Sequence, residues 1–208
     1  MQIDSIIDIS HWKDPVDFAK VKQEGIAAVI AKATNGATGV DKTYAKFKSM
    51  AHGRFLWGSF HFGTGDDVHS QFENYMKVIG SVDGELACLD FEPNPFGPSM
   101  SLAQAREFVS IFRQVVGRYP VLYAGHTLKD ALGPHADSVL SKCPLWLAQY
   151  GPAAVVPPGW TTWTLWQFTD GNAGDEPHRV SGVGTCDRSR FQGSEATLKQ
   201  LWPFAASG

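Results

Sequence analysis

The feature that most restricts the fold of this chain is a repeated alternation of short apolar runs with longer segments of mixed polarity. Most of the runs end on a polar or aromatic residue followed by Gly, Asn, Asp or Pro. Short apolar runs bounded by such turn formers indicate buried strands, and several of the segments between them are long enough for helices. This alternation is typical of a β/α chain with a parallel sheet.

The pattern predicts eight strands, at residues 5–10, 27–34, 55–62, 85–92, 119–124, 145–150, 162–168 and 185–191. It predicts four helices, at residues 16–25, 44–52, 68–79 and 101–116. Segments 151–159 and 169–184 are rich in Gly, Asp or Pro and favour loops. We therefore expect an α/β fold, an irregular TIM-like β/α barrel with about five β/α units followed by helix-poor strands. Such a barrel suits a chain shorter than the usual length of about 250 residues.

Composition agrees with one well-packed domain. The 208 residues are 43% hydrophobic and 19% charged, and no linker divides them, so we expect a single domain over residues 1–208. The formal net charge is -3, and the scattered Lys and Arg residues argue against nucleic acid as a partner. Residues 205–208 are expected to be a frayed end, and the protein is expected to be a monomer.

The first residues and the cysteines give further expectations. Residues 1–9 have no basic region, and their apolar run is too short for a signal peptide or a membrane span. We expect no membrane insertion, and export by another route or after removal of a leader. Cys88, Cys143 and Cys186 are widely spaced and are read as free thiols, and the dispersed histidines favour no metal site.

In β/α barrels the catalytic side chains lie at the carboxyl-terminal ends of the strands. The first seven predicted strands carry chemically useful residues near that end, namely Asp8, Lys32, His61, Asp90, Glu92, Tyr123, Gln149 and Gln167, and Asp187 belongs to the eighth. Because these strand ends meet at one mouth of a barrel, we expect the side chains to converge there.

The segment Asp90-Phe91-Glu92 is the strongest chemical signal. Two carboxylates two residues apart on a strand point to the same face. Side by side they repel, so one keeps its proton to a higher pH and is available as a general acid near neutrality. An isolated pair of this kind is more often merely exposed. Here it ends an apolar strand, and Pro93 stops that strand at once.

Four other strand-end residues have two interpretations each. Asp8 precedes a helical segment and also suits a helix cap, and Asp187 also suits the start of a turn. Lys32 lies in an apolar strand and either neutralises part of an acidic mouth or contacts the substrate. His61 is expected to be a hydrogen-bonding partner rather than a metal ligand.

Aromatic side chains near the strand ends either pack in the core or offer flat faces to sugar rings. Core packing is the general expectation for such residues. Tyr123 and Trp166 are the two for which we favour contact with sugars.

Several spaced motifs, in order along nearly the whole chain, resemble glycoside hydrolase family 25. They are Asp8-Ile9-Ser10, Ala31-Lys32-Ala33-Thr34-Asn35-Gly36, Phe60-His61-Phe62, Leu89-Asp90-Phe91-Glu92, Leu145-Trp146-Leu147-Ala148-Gln149-Tyr150, Leu165-Trp166-Gln167-Phe168 and Cys186-Asp187. The resemblance implies a barrel of five β/α units with a helix-poor remainder. It also implies a peptidoglycan hydrolase that cleaves the β-1,4 bond from N-acetylmuramic acid to N-acetylglucosamine and needs no cofactor.

The resemblance also implies roles for individual residues. Glu92 is the implied general acid, Asp90 its electrostatic or acetamido-orienting neighbour, and Asp8 and Asp187 the flanking carboxylates. The expected substrate-binding residues are Lys32, His61, Tyr123, Gln149, Trp166 and Gln167.

The chain departs from the family pattern at two positions. Phe60 stands where the family usually has Tyr, and Asn35 stands where Glu often follows Lys-Ala-Thr. The lost phenol bears on substrate preference or rate rather than on reaction type. A chitin-type glycosidase and a barrel that binds wall sugars without turnover remain as alternatives. The site of action is expected to be the bacterial wall, reached from a phage, a secretion system or a processed precursor.

Overall fold

The computed structural model describes residues 1–205, so most of the expected frayed end, residues 206–208, lies outside the described part. Within residues 1–205 there are eleven strands: β1 (Ile3–Ile9), β2 (Ala28–Asn35), β3 (Gly39–Val40), β4 (Leu56–Phe62), β5 (Leu86–Phe91), β6 (Val121–Ala124), β7 (Leu145–Ala148), β8 (Leu165–Thr169), β9 (Arg179–Val180), β10 (Gly184–Thr185) and β11 (Asp187–Phe191). The same residues form six α-helices: α1 (Phe18–Gln23), α2 (Tyr44–Ala51), α3 (Val68–Ile79), α4 (Leu102–Val116), α5 (His126–Leu132) and α6 (Glu195–Leu201).

Eight of these strands close into a barrel in the order β1, β11, β8, β7, β6, β5, β4 and β2, and pairing of β1 with β2 completes the circle. All neighbours in the barrel are parallel except β11, which runs antiparallel to both β1 and β8. Strand β3 extends the sheet beyond β2, and β9 and β10 form a separate hairpin. The predicted α/β barrel is confirmed, including its eight strands.

A helix follows each of the first five barrel strands along the chain, which gives the units β1-α1, β2-α2, β4-α3, β5-α4 and β6-α5. The start of α4 shows why its prediction was accurate. Ser101 accepts a hydrogen bond from the backbone N–H of Gln104, and the Gln104 side chain caps Ser101 in return. Gly117 ends the helix in the left-handed conformation that glycine adopts most easily.

Two helices, the short strand β3 and one hairpin were not predicted from the sequence. Helix α5 has seven residues and begins after Gly125, which offers no side-chain cap, so it lacks a start signal. Helix α6 follows the last strand, in a segment for which no element was predicted, and Ser194 caps it by accepting from the N–H of Thr197. The predicted loop at 169–184 contains β9 and begins the hairpin with β10.

The core has an inner and an outer layer. Alternate strand residues such as Ile6, Ile30 and Leu86 fill the barrel, and Trp202 of the C-terminal segment packs with them. Their neighbours along the strands pack against the helices. Where β7 and β8 have no helix over them, partly buried loop residues such as Trp160 cover their outer face. On the helix-poor side of the barrel, a loop therefore covers the outer face of the strands, as the helices do elsewhere.

The three cysteines are free and buried, as predicted. None of the described helices has both the length and the apolar character needed to cross a membrane.

Candidate active site

A pocket opens at the carboxyl-terminal end of the barrel strands. It has a volume of about 130 Å³ and is lined by Asp8, Phe60, Asp90, Glu92, Tyr123, Trp146, Gln167 and Asp187. Pockets that enclose a drug-sized molecule measure roughly 300–1,000 Å³. This pocket therefore suits part of a larger ligand, whose remainder lies on the rim outside it.

Strand register brings the four carboxylates to this pocket. Asp8 of β1 is the direct partner of Asp187 of β11. Asp90 lies near the end of β5, and Glu92 follows two residues later on the same side. Phe91, between them, points outward into the layer under the helices. The alternation of a strand therefore separates the two acids from the aromatic residue between them.

Asp90 is the deeper carboxylate of the β5 pair. The residue is 5% exposed, and its Oδ1 atom is buried with no hydrogen-bond partner among the described residues. Burial raises the pKa of Asp90 well above its usual value, and the negative charge of Glu92 raises it further, whereas Lys32 opposes both. A buried acceptor without a partner is costly, so Asp90 is poised to receive a donor from a ligand.

Glu92 is partly buried and lies closer to solvent. Burial raises the pKa of Glu92, the charge of Asp187 adds to this, and Lys32 again acts in the opposite direction. Burial raises the pKa of Asp187 to about 6, against the effect of Lys13. Burial and mutual repulsion therefore both favour the protonated form of these carboxyl groups, which suits a site that must offer a proton donor.

Two lysines supply positive charge to this acidic mouth. Lys32 of β2 is half-buried, and its ammonium lies 4.8 Å from the ring centroid of Phe62. Lys13, just after β1, donates a hydrogen bond to the carbonyl oxygen of Thr185 at 2.6 Å. Lys32 favours ionisation of Asp90, and Lys13 favours that of Asp187. This placement favours the neutralising interpretation of Lys32.

Comparison with known proteins assigns the chain to a family. The sequence model of "Glycosyl hydrolases family 25" matches residues 7–175. The chain belongs to this family. It is a glycoside hydrolase, as the resemblance of its motifs implied.

Two relatives of this family 25 hydrolase match it along most of their own length. "Lysozyme M1" of Streptomyces globisporus is 29% identical over 211 residues, which cover 94% of this chain and 70% of that protein. An "N,O-diacetylmuramidase" of Arthroderma benhamiae is 27% identical, covering 97% of this chain and 86% of the other. The crystal structure of a bacterial lysozyme from Streptomyces coelicolor superposes with a TM-score of 0.82 at 28% identity, covering 97% and 96% of the two chains.

His61 of the family 25 barrel lies outside the pocket. Its ring is fully buried, stacks on Phe108 with centroids 5.2 Å apart, and hydrogen-bonds to Thr34 Oγ1 at 2.8 Å and Gln71 Oε1 at 3.2 Å. Burial lowers the pKa of His61 to about 4. The predicted role as a hydrogen-bonding partner fits these contacts, whereas substrate contact does not, because the ring faces the helices.

Gln149 and Trp166 are also not brought to the pocket. Gln149 follows the end of β7, and its side chain accepts from Lys129 Nζ and donates to the carbonyl of Ala153, both at 2.6 Å. Trp166 packs on the outer face of β8 beneath the covering loop. Its indole N–H donates to the carbonyl of Gln149 at 2.7 Å, and the Arg190 guanidinium lies 5.0 Å from its ring.

Tyr123 and Gln167 do reach the pocket, together with two aromatic residues not selected from the sequence. Trp146 meets Tyr123 nearly edge-on, with ring centroids 4.8 Å apart, and Phe60 of β4 also lines the pocket. Tyr123 is 7% exposed and has little free ring surface. Trp146 is the register partner of Tyr123 on the adjacent strand, a relation that the sequence alone does not give.

No group of three or more His, Cys, Asp or Glu side chains in residues 1–205 is arranged to hold a metal ion.

Proposed function

We propose that this family 25 hydrolase is a muramidase that cleaves the β-1,4 bond between N-acetylmuramic acid and N-acetylglucosamine in bacterial peptidoglycan. The observation that carries the proposal is the convergence of four carboxylates, Asp8, Asp90, Glu92 and Asp187, in one small pocket at the mouth of the barrel. The names of its relatives, a lysozyme and an N,O-diacetylmuramidase, support this substrate class.

Glu92 is the proposed general acid. It is the less buried member of the β5 pair, so it lies nearer to the path of an incoming glycan. Its raised pKa keeps a proton available for the glycosidic oxygen as the bond breaks. Loss of such a proton donor costs about 10²–10⁴ in rate.

Asp90, Asp8 and Asp187 are proposed to act on the sugar itself. The unpartnered Oδ1 of Asp90 suits a hydrogen bond from the N–H of a sugar acetamido group. Asp8 and Asp187 lie beside each other and suit the positive charge that develops on the sugar during cleavage. Lys32 limits the excess negative charge, and Tyr123 and Gln167 are proposed to shape the pocket floor.

These roles are compatible with attack by water and with attack by the acetamido oxygen. The two routes differ in product stereochemistry, since direct displacement by water inverts the anomeric centre and a double displacement retains it. Measurement of the first-formed anomer by NMR distinguishes them.

The glycan beyond the pocket is proposed to lie across the rim. Trp12, 80% exposed, follows β1, and Phe96, 93% exposed, lies in the loop after β5. The Phe96 loop is braced, because Asn94 Oδ1 accepts from the Phe96 N–H at 3.0 Å and Ser99 Oγ accepts from the Asn94 N–H at 2.9 Å. Exposed aromatic rings on ordered loops at the mouth suit stacking against sugar faces.

The decisive experiment measures release of reducing ends from purified peptidoglycan, with product masses. Wild type is expected to release muropeptides that end in reducing N-acetylmuramic acid, and Glu92→Gln is expected to lose at least a hundredfold in rate. Glu73→Gln, an exposed glutamate on α3, serves as the matched control and is expected to keep full activity.

The same assay separates the alternatives. Cleavage of chitin oligomers in preference to peptidoglycan would replace this proposal with a chitin-type glycosidase. Binding to wall fragments without new reducing ends would indicate a sugar-binding barrel. The proposed place of action is the cell wall, in the periplasm or outside the cell.

A further inference from the structure

Gln167 of β8 lies at the centre of a hydrogen-bond network beside the active-site carboxylates. Its side chain is buried, and its Oε1 atom accepts from the hydroxyl groups of Tyr123 and Tyr150, each at 2.8 Å. Its Nε2 atom lies 3.1 Å from both carboxylate oxygens of Asp8. Strand β6, the loop after β7 and strand β1 therefore meet at one amide group of β8.

The two phenols fix the direction in which this amide points. An amide oxygen has two lone pairs, and Tyr123 and Tyr150 fill both. The NH2 group is then left facing Asp8, which accepts from it. The reversed amide would place its oxygen against the oxygens of Asp8, a repulsive arrangement when Asp8 is ionised.

Asp8 needs such a donor because of the groups that surround it. The charges of Asp187 on β11 and Glu92 after β5 both oppose its ionisation, and burial does so more strongly. Gln167 and Lys13 act in the opposite direction and lower the pKa of Asp8. Of these two, Gln167 hydrogen-bonds directly to the carboxylate, whereas Lys13 Nζ donates to the carbonyl oxygen of Thr185.

We propose that Gln167 is a positioning residue which, oriented by the hydroxyls of Tyr123 and Tyr150, holds the Asp8 carboxylate in one orientation as an acceptor in the pocket. This inference rests on the proposed function, in which Asp8 stabilises charge on the sugar. Gln167 then acts through Asp8 rather than by contact with the substrate.

The network predicts redundancy between the two tyrosines. Tyr123→Phe or Tyr150→Phe removes one donor and leaves the other, so each single variant is expected to lose less than about threefold in kcat. The double variant frees the amide to turn and is expected to lose about ten- to hundredfold, the effect of a hydrogen bond to a charged group. All three variants keep both rings, and the unfolding temperature of each checks that the fold is intact.

Gln167→Met tests the amide directly. It removes the donor to Asp8 and puts an apolar side chain of similar length in its place. The variant is expected to lower kcat about ten- to hundredfold with KM changed less than twofold. The acidic limb of its kcat/KM profile is expected to move to higher pH, because Asp8 loses a donor that favours its charged form. Gln114→Met, at an exposed position of α4, is the matched control and is expected to show no such shift.

Two outcomes would overturn the inference. One is a double tyrosine variant whose loss equals the product of the single losses. The other is an acidic limb that stays in place in Gln167→Met or moves equally in Gln114→Met. A ¹³C NMR titration of the Asp8 carboxyl group in wild type and Gln167→Met gives a readout without substrate. If wild type does not cleave peptidoglycan, the proposed function fails, and the titration still decides whether Gln167 controls Asp8.

Discussion

Asp8 of β1 and Asp187 of β11 face each other as direct partners across two antiparallel strands in the barrel wall. Like charges placed opposite each other destabilise a sheet. Burial raises the pKa of both carboxyl groups, and that of Asp187 reaches about 6. The pocket therefore holds a strained charge arrangement that packing elsewhere in the barrel must offset.

Asp187→Asn is predicted to stabilise the protein at neutral pH. The folded pKa of Asp187, about 6, lies above the unfolded value of 3.8. The stability that Asp187 contributes is therefore fully present below pH 3.8, and it is lost as pH rises through about 6. The unfolding temperature of the variant minus that of wild type should increase from pH 4 to about pH 7 and then level off.

Thermal unfolding followed by circular dichroism across this range checks the prediction. Asp130→Asn, an exposed carboxylate on α5, is the control and should show no pH-dependent difference from wild type. A difference between Asp187→Asn and wild type that stays constant with pH would contradict the prediction.

Lys32→Met is predicted to shift the pH dependence of activity. Lys32 lowers the pKa of Glu92 and of Asp90, so its removal raises both. A general acid loses activity as pH rises through its pKa. The basic limb of kcat/KM should therefore move to higher pH in the variant, as measured with a soluble glycan substrate.

Lys77→Met, an exposed lysine on α3, controls for a general change in net charge and should leave the limb in place. A basic limb that moves to lower pH in Lys32→Met would show that Lys32 does not act through the carboxylates. Loss of activity with no change in the profile would instead favour direct contact of Lys32 with the substrate.

His61→Leu is predicted to destabilise the fold by about 1–3 kcal/mol at pH 7, because Thr34 Oγ1 and Gln71 Oε1 lose a buried partner. The pKa of His61, about 4, lies below the unfolded value of 6.5, so its contribution is present above pH 6.5 and is lost as pH falls towards 4. The gap between wild type and variant should therefore shrink at pH 4.5. Urea unfolding at pH 7 and pH 4.5 measures it, and equal gaps would refute the assignment.

The sequence predicted the barrel and its acidic mouth because both depend on local patterns. Asp90 and Glu92 share a face through the two-residue period of a strand, and Pro93 prevents the strand from continuing beyond them. Trp166 was misplaced because a one-residue step decides whether a side chain faces the pocket or the outer layer. It faces outward beside Gln167, which faces inward.

The placement of Gln149 and the contacts of Tyr123 and Tyr150 with Gln167 could not be predicted from the sequence. Strand β7 ends at Ala148, so Gln149 lies in the loop and is bound there by Lys129. The meeting of Tyr123, Tyr150 and Gln167 joins three separate parts of the chain. No spacing along the sequence encodes such a meeting, since it depends on barrel closure.

Trp12→Ala and Phe96→Ala are predicted to weaken action on long glycans more than on short ones. The pocket holds only part of a glycan, so rings on the rim are reached by strands that extend beyond it. Loss of a stacked ring should lower kcat/KM on polymeric peptidoglycan about threefold to tenfold, the effect of a typical aromatic contact. Activity on a short oligosaccharide confined to the pocket should change less than twofold.

Val115→Ala, an exposed apolar residue on α4, should affect neither substrate. Equal losses on both substrates would place these rings in the catalytic pocket or in the fold, and no loss on either would exclude them from the glycan path.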